Sequence, residues 1–305
     1  MTETHEPART KDTFSGYHPF VNMLYFATVI GFSMFFMHPI CLAISLVCAL
    51  SYSVYLSGKK AIRFSLMFML PMLVMTILLS PLFNHRGVTI LAYLPNGNPL
   101  TLESILYGVA AATMLITVIA WFSCFNVVMT SDKFTYLFGR IIPALSLILS
   151  MALRFVPRFR EQLKVVSKAQ KCIGRDISNG NILQKVRHGI KILSIMVTWA
   201  LESAIETADS MKGRGYGLPG RTAFSIFRFE RRDGIALIFI LKLASAVIAA
   251  AQTGVYHFRY FPTVRGEWIG TGTVLVFVVY FALCVFPLII NIKEDIFWKS
   301  IESKT

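Results

Sequence analysis

The side chains best suited to bind a partner lie in two short clusters that combine basic residues with glycine. The first spans 169–176 and reads Ala-Gln-Lys-Cys-Ile-Gly-Arg-Asp, and the second spans 208–217 and reads Ala-Asp-Ser-Met-Lys-Gly-Arg-Gly-Tyr-Gly. Arginine pairs with carboxylates through two parallel hydrogen bonds, and neighbouring glycines let the backbone of a partner come close. This combination indicates docking to an acidic surface.

A stripe of basic residues leads into the first cluster. Its members recur at steps of 4, 3 and 4 and would share one face of a helix: Lys164, Lys168, Lys171 and Arg175. Charge alone leaves three interpretations: attraction to anionic lipid, which it favours most, docking to a protein, and nucleic-acid binding. No stacking aromatic residue lies between Lys164 and Arg187, so we predict no nucleic-acid partner. The glycines beside Arg214 favour protein docking, because attraction to lipid needs no glycine.

Motifs for catalysis or cofactor binding are absent or stand in the wrong context. Residues 215–220 match G-x-G-x-x-G, but a predicted helix precedes them where a dinucleotide site needs a strand. The chain has no G-x-x-x-x-G-K-[ST], G-x-S-x-G, H-E-x-x-H or C-x-x-C. Asp209 and His188 are the only loose acid/base candidates near the basic segment, and a solvated helix face explains both. We predict a non-enzymatic chain that binds no metal and no cofactor itself.

The composition is that of an integral membrane protein, with 55% hydrophobic and 15% charged residues and a mean hydropathy of +0.61. The polar N-terminus has no basic region leading into a cleavable apolar segment, so the first apolar run is predicted to remain as an anchor. About 20 mostly apolar residues span a bilayer as a helix. Six runs qualify or nearly do: 19–37, 39–57, 62–83, 104–129, 233–253 and 271–291.

Three local features accompany these runs. Pro71 is expected to kink the third run without ending it. Alternating residues 88–94 before the turn-rich stretch 95–99 predict a small hairpin. The acids beside the runs are predicted to be solvated: Glu103, Asp132 and Asp233. All five cysteines, four inside the runs and Cys172 in the basic segment, are predicted to be packing residues, with no disulfide framework.

Orientation follows from the distribution of positive charge. Residues 154–232 contain 16 Lys+Arg and 6 Asp+Glu, and so carry +10 of the chain's +14. Because cytoplasmic loops are rich in Lys and Arg, this segment and both termini are predicted to be cytoplasmic. The predicted organisation is N-terminal membrane helices 1–4 over 1–130, a cytoplasmic or interfacial coupling region over 131–232, and C-terminal membrane helices with a tail over 233–305.

The region 131–232 is predicted to form long amphipathic helices at the cytoplasmic face. Its apolar runs, 141–153 and 192–201, are too short to span a membrane. On the later helix an apolar stripe recurs at helical spacing, and its main members are Leu193, Val197, Ala200 and Ala204. Gly213, Gly215 and Gly217 are expected to end that helix. The fold class is therefore all-α and polytopic, with about six transmembrane helices plus long coupling helices.

These residues resemble the transmembrane T component of energy-coupling factor (ECF) transporters, ABC-type importers for vitamins and transition-metal ions. The resemblance rests on Leu-Arg-Phe-Val-Pro at 153–157 and, above all, on 208–216, which is close to the family's C-terminal Ala-Arg-Gly signature. Gly213 replaces the alanine of that signature. In the first cluster, the gapless alignment puts Ile173 at the arginine position, with Arg175 two residues further on.

The resemblance implies a non-catalytic scaffold with several partners. Two cytoplasmic ABC ATPase subunits, which carry ATP and Mg, would grip the ends of the coupling helices. A small membrane-embedded S component would bind cargo and pack against the apolar stripe, with membrane lipid around both. The location would be the plasma membrane of a prokaryote. The implied ATPase-docking residues are Arg214, Gly213, Gly215, Lys212, Arg175, Gly174, Gln170 and Ala169.

Two other functions remain open at this stage. An ordinary ABC permease would line the substrate path itself, but one short coupling helix of the E-A-A…G type is expected there, and this sequence predicts two long ones. A polytopic membrane protein or enzyme that binds anionic lipid headgroups would need acid/base or metal residues near the basic segment.

Overall fold

The computed structural model describes residues 12–84, 87–93, 98–141, 143–174, 181–218, 227–254, 256, 258–264 and 271–302. The chain divides into two compact units: 1–130 together with 227–305, and 131–226. The predicted region 131–232 thus reaches past the second unit, into residues that group with the first.

The helices of the first unit are α1 (Pro19–Phe35), α2 (Pro39–Ser57), α3 (Lys59–Phe64), α4 (Leu70–Phe83), α5 (Leu102–Val128), α9 (Arg231–Gln252) and α10 (Thr271–Glu302). The helices of the second are α6 (Ser131–Ile141), α7 (Pro143–Cys172) and α8 (Ile182–Gly213).

Five helical stretches among the described residues are long and apolar enough to cross a membrane: Pro39–Ser57, Lys59–Phe83, Leu102–Val128, Arg231–Gln252 and Thr273–Ile301. The first predicted run is also an apolar helix, but at 17 residues α1 is slightly shorter than these five. The predicted fold class, an all-α polytopic membrane protein, is confirmed.

Two His-Pro pairs start the first two helices. Proline suits the first helical position, where its missing N–H costs no hydrogen bond. The Nδ1 of His18 accepts a hydrogen bond from the Phe20 N–H at 3.2 Å, and that of His38 accepts from the Ile40 N–H at 3.3 Å. Each imidazole therefore serves as a helix cap.

The third apolar run continues through Pro71, as predicted. A π-helical turn, Ser65–Met69, lies just before this proline. Such local widening is a usual way to accommodate a proline ring that would collide with a carbonyl one turn earlier. The run therefore remains helical from Lys59 to Phe83.

The core of the first unit is built from large aromatic side chains around a small polar network. Trp121 and Tyr280 are fully buried. The Trp121 Nε1–H donates to the Ser45 Oγ at 2.9 Å, and the Ser45 and Ser33 hydroxyl groups are 2.7 Å apart. These bonds join α1, α2 and α5. Interhelical hydrogen bonds stabilise helix packing in a membrane, where lipid tails are as apolar as leucine and no hydrophobic effect drives the helices together. Four cysteines are buried as predicted: Cys41, Cys48, Cys124 and Cys284. The prediction is wrong for Cys172, which is exposed.

Ser45→Ala is expected to destabilise the bundle by about 1 kcal/mol, since it removes the acceptor of the Trp121 indole and the partner of Ser33. Thermal unfolding of the detergent-purified protein measures the effect. Ser51→Ala, at an exposed position of the same helix, is the matched control and should unfold as the wild type does. Equal unfolding temperatures for all three proteins would show that the network contributes nothing.

The predicted hairpin between α4 and α5 is confirmed. Strands β1 (Ile90–Tyr93) and β2 (Pro99–Thr101) pair antiparallel, while their turn lies outside the described residues. The predicted solvation of Glu103 is wrong: only 3% of this residue is exposed. Its carboxylate accepts hydrogen bonds from the Thr89 N–H at 3.2 Å and the Thr89 hydroxyl at 2.8 Å. Glu103 therefore fixes the base of the hairpin to the start of α5.

Candidate partner-docking site

Helices α7 and α8 pack side by side through a compact apolar contact. Its buried residues are Val166 on α7 and Ile192 and Met196 on α8. At one end, the Phe159 and Trp199 rings meet edge to face, with centroids 5.3 Å apart, and the Arg158 guanidinium lies 5.5 Å from the Trp199 ring. The prediction of two long amphipathic helices is confirmed, and an apolar contact holds them side by side.

The basic stripe faces away from this contact. Lys164, Lys168 and Lys171 are exposed, and their helical positions lie opposite Val166. Helix α7 ends at Cys172, so the helical spacing predicted through Arg175 stops at Lys171. Arg175 itself lies outside the described residues, and its docking role stays a prediction.

The end of α8 has the geometry of a Schellman motif. The Tyr216 N–H donates to the Met211 carbonyl at 3.0 Å, and the Gly215 N–H donates to the Lys212 carbonyl at 2.9 Å. This motif needs a residue in the left-handed region after the cap, and Gly215 supplies it with φ of 81°. Arg214 is the cap residue and is exposed. Arg214 therefore places a positive charge at the C-terminal end of α8. The helix dipole is negative at this end and favours a cation there.

The end of α7 repeats part of this geometry. The Gly174 N–H donates to the Lys171 carbonyl at 3.0 Å, and Gly174 has φ of 75°. When the sequence is aligned on the two capping glycines, Gly174 and Gly215, Ile173 corresponds to Arg214. Ile173 is 65% exposed, so the cap of α7 presents an aliphatic side chain where α8 presents a guanidinium. Gln170 and Ala169 lie in the last turn before this cap.

The glycines beside Arg214 have different structural roles. A side chain at Gly213, the last residue of α8, would meet no atom within 4 Å, whereas the Cβ of an alanine at Gly215 would lie 3.1 Å from the Leu218 Cδ1. We expect Gly215→Ala to destabilise the cap by about 1–2 kcal/mol, because alanine resists a positive φ. Gly213→Ala should instead stabilise the end of the helix by up to about 1 kcal/mol.

Amide hydrogen exchange at Tyr216, whose N–H closes the motif, measures both effects. Faster exchange in Gly215→Ala with unchanged or slower exchange in Gly213→Ala is the expected pair of results. Identical exchange in both variants would contradict the assigned geometry.

The predicted apolar stripe of α8 is exposed and separate from the α7 contact. Leu193 is 62% exposed and Val197 is 50% exposed, with Ala204 also exposed and Ala200 partly buried. The structure adds large aliphatic side chains on the same face that the sequence analysis missed: Val186, Ile190 and Leu201. Their helical spacing from Leu193 and Val197 could have identified them. Helix α8 therefore has one apolar face that packs on α7 and a second that is exposed among the described residues.

The described part of the chain contains no group of three His, Cys, Asp or Glu residues that could hold a metal ion. Helix α8, not a strand, precedes Gly215 in the G-x-G-x-x-G match, and the last residues of that match lie outside the described residues. The chemistry that the described site offers is therefore recognition: a guanidinium at a helix end and an apolar helix face.

Membrane-spanning helices joined to a pair of long, capped helices define a polytopic all-α membrane protein. Residues 18–225 match the CbiQ family, described as cobalt transport protein, and the chain belongs to that family. It is also similar to curated proteins named energy-coupling factor transporter transmembrane protein EcfT.

Three of these relatives illustrate the extent of the similarity. The Staphylococcus aureus protein is 35% identical over 112 residues, which is 36% of this chain and 42% of the relative. The Lacticaseibacillus paracasei protein is 34% identical over 108 residues, covering 35% and 41%. The Streptococcus thermophilus protein is 39% identical over 105 residues, covering 33% and 40%. Each alignment thus covers less than half of the relative.

Proposed function

We propose that this chain is the transmembrane coupling subunit of an ECF-type importer and performs no catalysis itself. The observation that carries the proposal is the exposed Arg214 at the glycine-capped end of α8. A fixed cap presents the guanidinium to a soluble partner at a defined place, which lowers the entropy lost on binding. The similarity to proteins named as transmembrane subunits of ECF transporters supports the same function.

Two cytoplasmic ATPases would bind the ends of α7 and α8. The α8 end offers Lys212 and Arg214, and the α7 end offers Lys171 with the aliphatic Ile173. These two surfaces differ in chemistry, so they suit two different pockets or two unlike ATPase subunits. ATP and Mg would be held by those subunits.

A small membrane-embedded S component would cover the apolar face of α8. That face presents Leu193, Val197 and Leu201 to the surroundings, and burying large aliphatic side chains of this kind stabilises a complex by about 25 cal/mol per Å² of apolar surface. When the ATPases close, the packed pair α7–α8 would move together and tilt the S component, which would release a vitamin or a transition-metal ion inward.

The location that suits this function is the plasma membrane of a prokaryote, with both termini and the 131–226 unit in the cytoplasm. The concentration of +10 in residues 154–232 supports this orientation through the positive-inside rule. Lys164 and Lys168 would also attract anionic lipid headgroups where the helices approach the membrane.

Co-purification tests the proposal. The affinity-tagged chain, solubilised in mild detergent from its native membranes, should bring down two ATPase subunits and one small membrane protein, all identifiable by mass spectrometry. ATPases alone, together with direct binding of cargo by this chain, would instead favour a substrate-lining permease. Recovery of lipid without any ATPase would favour a lipid-binding membrane protein and overturn the proposal.

A further inference from the structure

The segment Asp12–His18 ties helices together at one end of the membrane bundle. The Phe14 N–H donates to the Asn291 Oδ1 at 3.0 Å, and the Asn291 amide donates to the Asp12 carboxylate at 2.6 Å. The Tyr52 hydroxyl donates to the same carboxylate at 3.3 Å. These bonds connect the segment to α10 and α2.

The aromatic ring of Phe14 closes this end of the bundle. The residue is fully buried, and its ring meets Tyr25, Phe26 and Phe286 edge to face, with centroids 5.2, 6.3 and 6.2 Å away. Edge-to-face contacts of this kind add to the apolar area that the ring buries. The segment is therefore fixed by packing as well as by hydrogen bonds.

The other end of the segment holds the start of α9. The Asp233 carboxylate accepts from the His18 N–H at 3.1 Å and, with its second oxygen, from the Glu230 N–H at 2.9 Å. Asp233 is only 1% exposed, so the predicted solvation of this acid is wrong. Burying a carboxylate without hydrogen-bond donors costs free energy. The His18 N–H supplies one of the donors, so its contact with Asp233 stabilises the folded state.

Arg232 adds a second attachment beside Asp233. Its guanidinium donates to the Gly16 carbonyl at 3.2 Å, lies 5.4 Å from the Tyr17 ring and pairs with Glu230 at 3.0 Å. The His18 ring also packs on Phe229, with centroids 5.3 Å apart. Side chains of 229–233 thus contact the segment at several points.

We propose that Asp12–His18 is a latch that anchors the first residues of α9 to the bundle. Residues 227–233 are where the chain returns from the 131–226 unit to the membrane helices. Resting on the proposed function, the latch keeps α9 in place when the ATPases move α7 and α8. The motion is then confined to the coupling helices α7 and α8, because α9 is not displaced with them.

Hydrogen exchange in the purified chain, reconstituted in nanodiscs, tests the latch without any partner. Asp233→Ala should raise the exchange rates of the His18 and Glu230 amides at least about tenfold, because both donors lose a charged acceptor. Amides within α5 should not change. The matched control is Asp132→Ala, which removes an exposed acid from the first turn of α6 and should leave all of these rates unaltered.

Tyr52→Phe provides a milder variant that keeps the aromatic ring and removes the hydroxyl that donates to Asp12. It should raise exchange at Phe14, two residues from the altered acceptor, and so keeps the test decisive if Asp233→Ala does not fold. The latch would be overturned if the Phe14, His18 and Glu230 amides exchanged at wild-type rates in both variants. It would also be overturned if these amides were unprotected in the wild type.

A second arm uses the chain in complex with co-purified ATPases. On addition of ATP and vanadate, wild-type exchange should change in α7 or α8 while 229–233 stays protected, and Asp233→Ala should show a nucleotide-dependent change at the start of α9. A nucleotide-dependent loss of protection at 229–233 in the wild type would refute a fixed anchor. Failure to recover ATPases would count against the proposed function alone, because the first arm does not depend on them.

Discussion

Replacing Arg214 by glutamate is expected to abolish the association of this chain with its ATPase partners. The change turns an attractive pair into a repulsive one at the cap of α8, and losing one member of a desolvated charge pair costs about 2–5 kcal/mol. That cost corresponds to roughly 30-fold to several-thousand-fold weaker binding. The measurement is ATPase recovered per tagged chain after detergent extraction.

The control for this prediction is Arg187→Glu, which reverses an exposed charge near the other end of the same helix. It makes the same change in net charge and should leave ATPase recovery at the wild-type value. Membrane insertion should be normal in both variants, because neither residue lies in a membrane-spanning helix. Full ATPase recovery with Arg214→Glu would remove the principal docking assignment.

Placing a charge in the exposed apolar stripe is expected to have the second largest effect. Val197→Asp should weaken the S component's binding by at least about 100-fold, because a carboxylate would be buried there without a partner. ATPase association should not change, since Val197 lies several turns away from the cap of α8. Co-purification of the small membrane protein and of the ATPases, measured from one preparation, separates the two effects.

Thr198→Asp is the matched control because Thr198 is the next residue, is exposed and lies off the stripe. It should retain the S component. Loss of the S component in both variants would mean that a charge anywhere on α8 disrupts the complex, and retention in both would assign the stripe to lipid.

Periodic patterns in the sequence predicted the elements well, because local spacing determines them. Apolar runs gave the membrane helices, the turn-rich 95–99 gave the hairpin, and glycines marked the end of α8. The two buried acids were mispredicted for a common reason. One donor to Asp233 is the nearby Glu230 N–H, but the other is His18, 215 residues away. No local pattern reveals such a distant partner. Glu103 is buried by the hairpin, whose position depends on how the chain folds back onto α5.

The two basic clusters show the same limit on a smaller scale. Sequence spacing extended the α7 stripe to Arg175, but the helix ends at Cys172 and is followed by the capping Gly174. At the α8 cap, by contrast, Arg214, the docking residue that the resemblance implies, is itself the cap residue. A glycine in the sequence can indicate where a helix is capped. The direction of a side chain beyond the cap depends on backbone angles, which residue spacing does not predict.

Photo-cross-linking from position 214 shows whether the cap of α8 contacts an ATPase subunit. With p-benzoylphenylalanine in place of Arg214, irradiated native membranes should yield an adduct between this chain and an ATPase subunit, and the same label at Arg187 should not. Because the label also removes the guanidinium, its attachment at neighbouring Lys212 should give the adduct in greater amount. Adducts only with lipid from both 212 and 214, in membranes that contain the ATPases, would contradict the account.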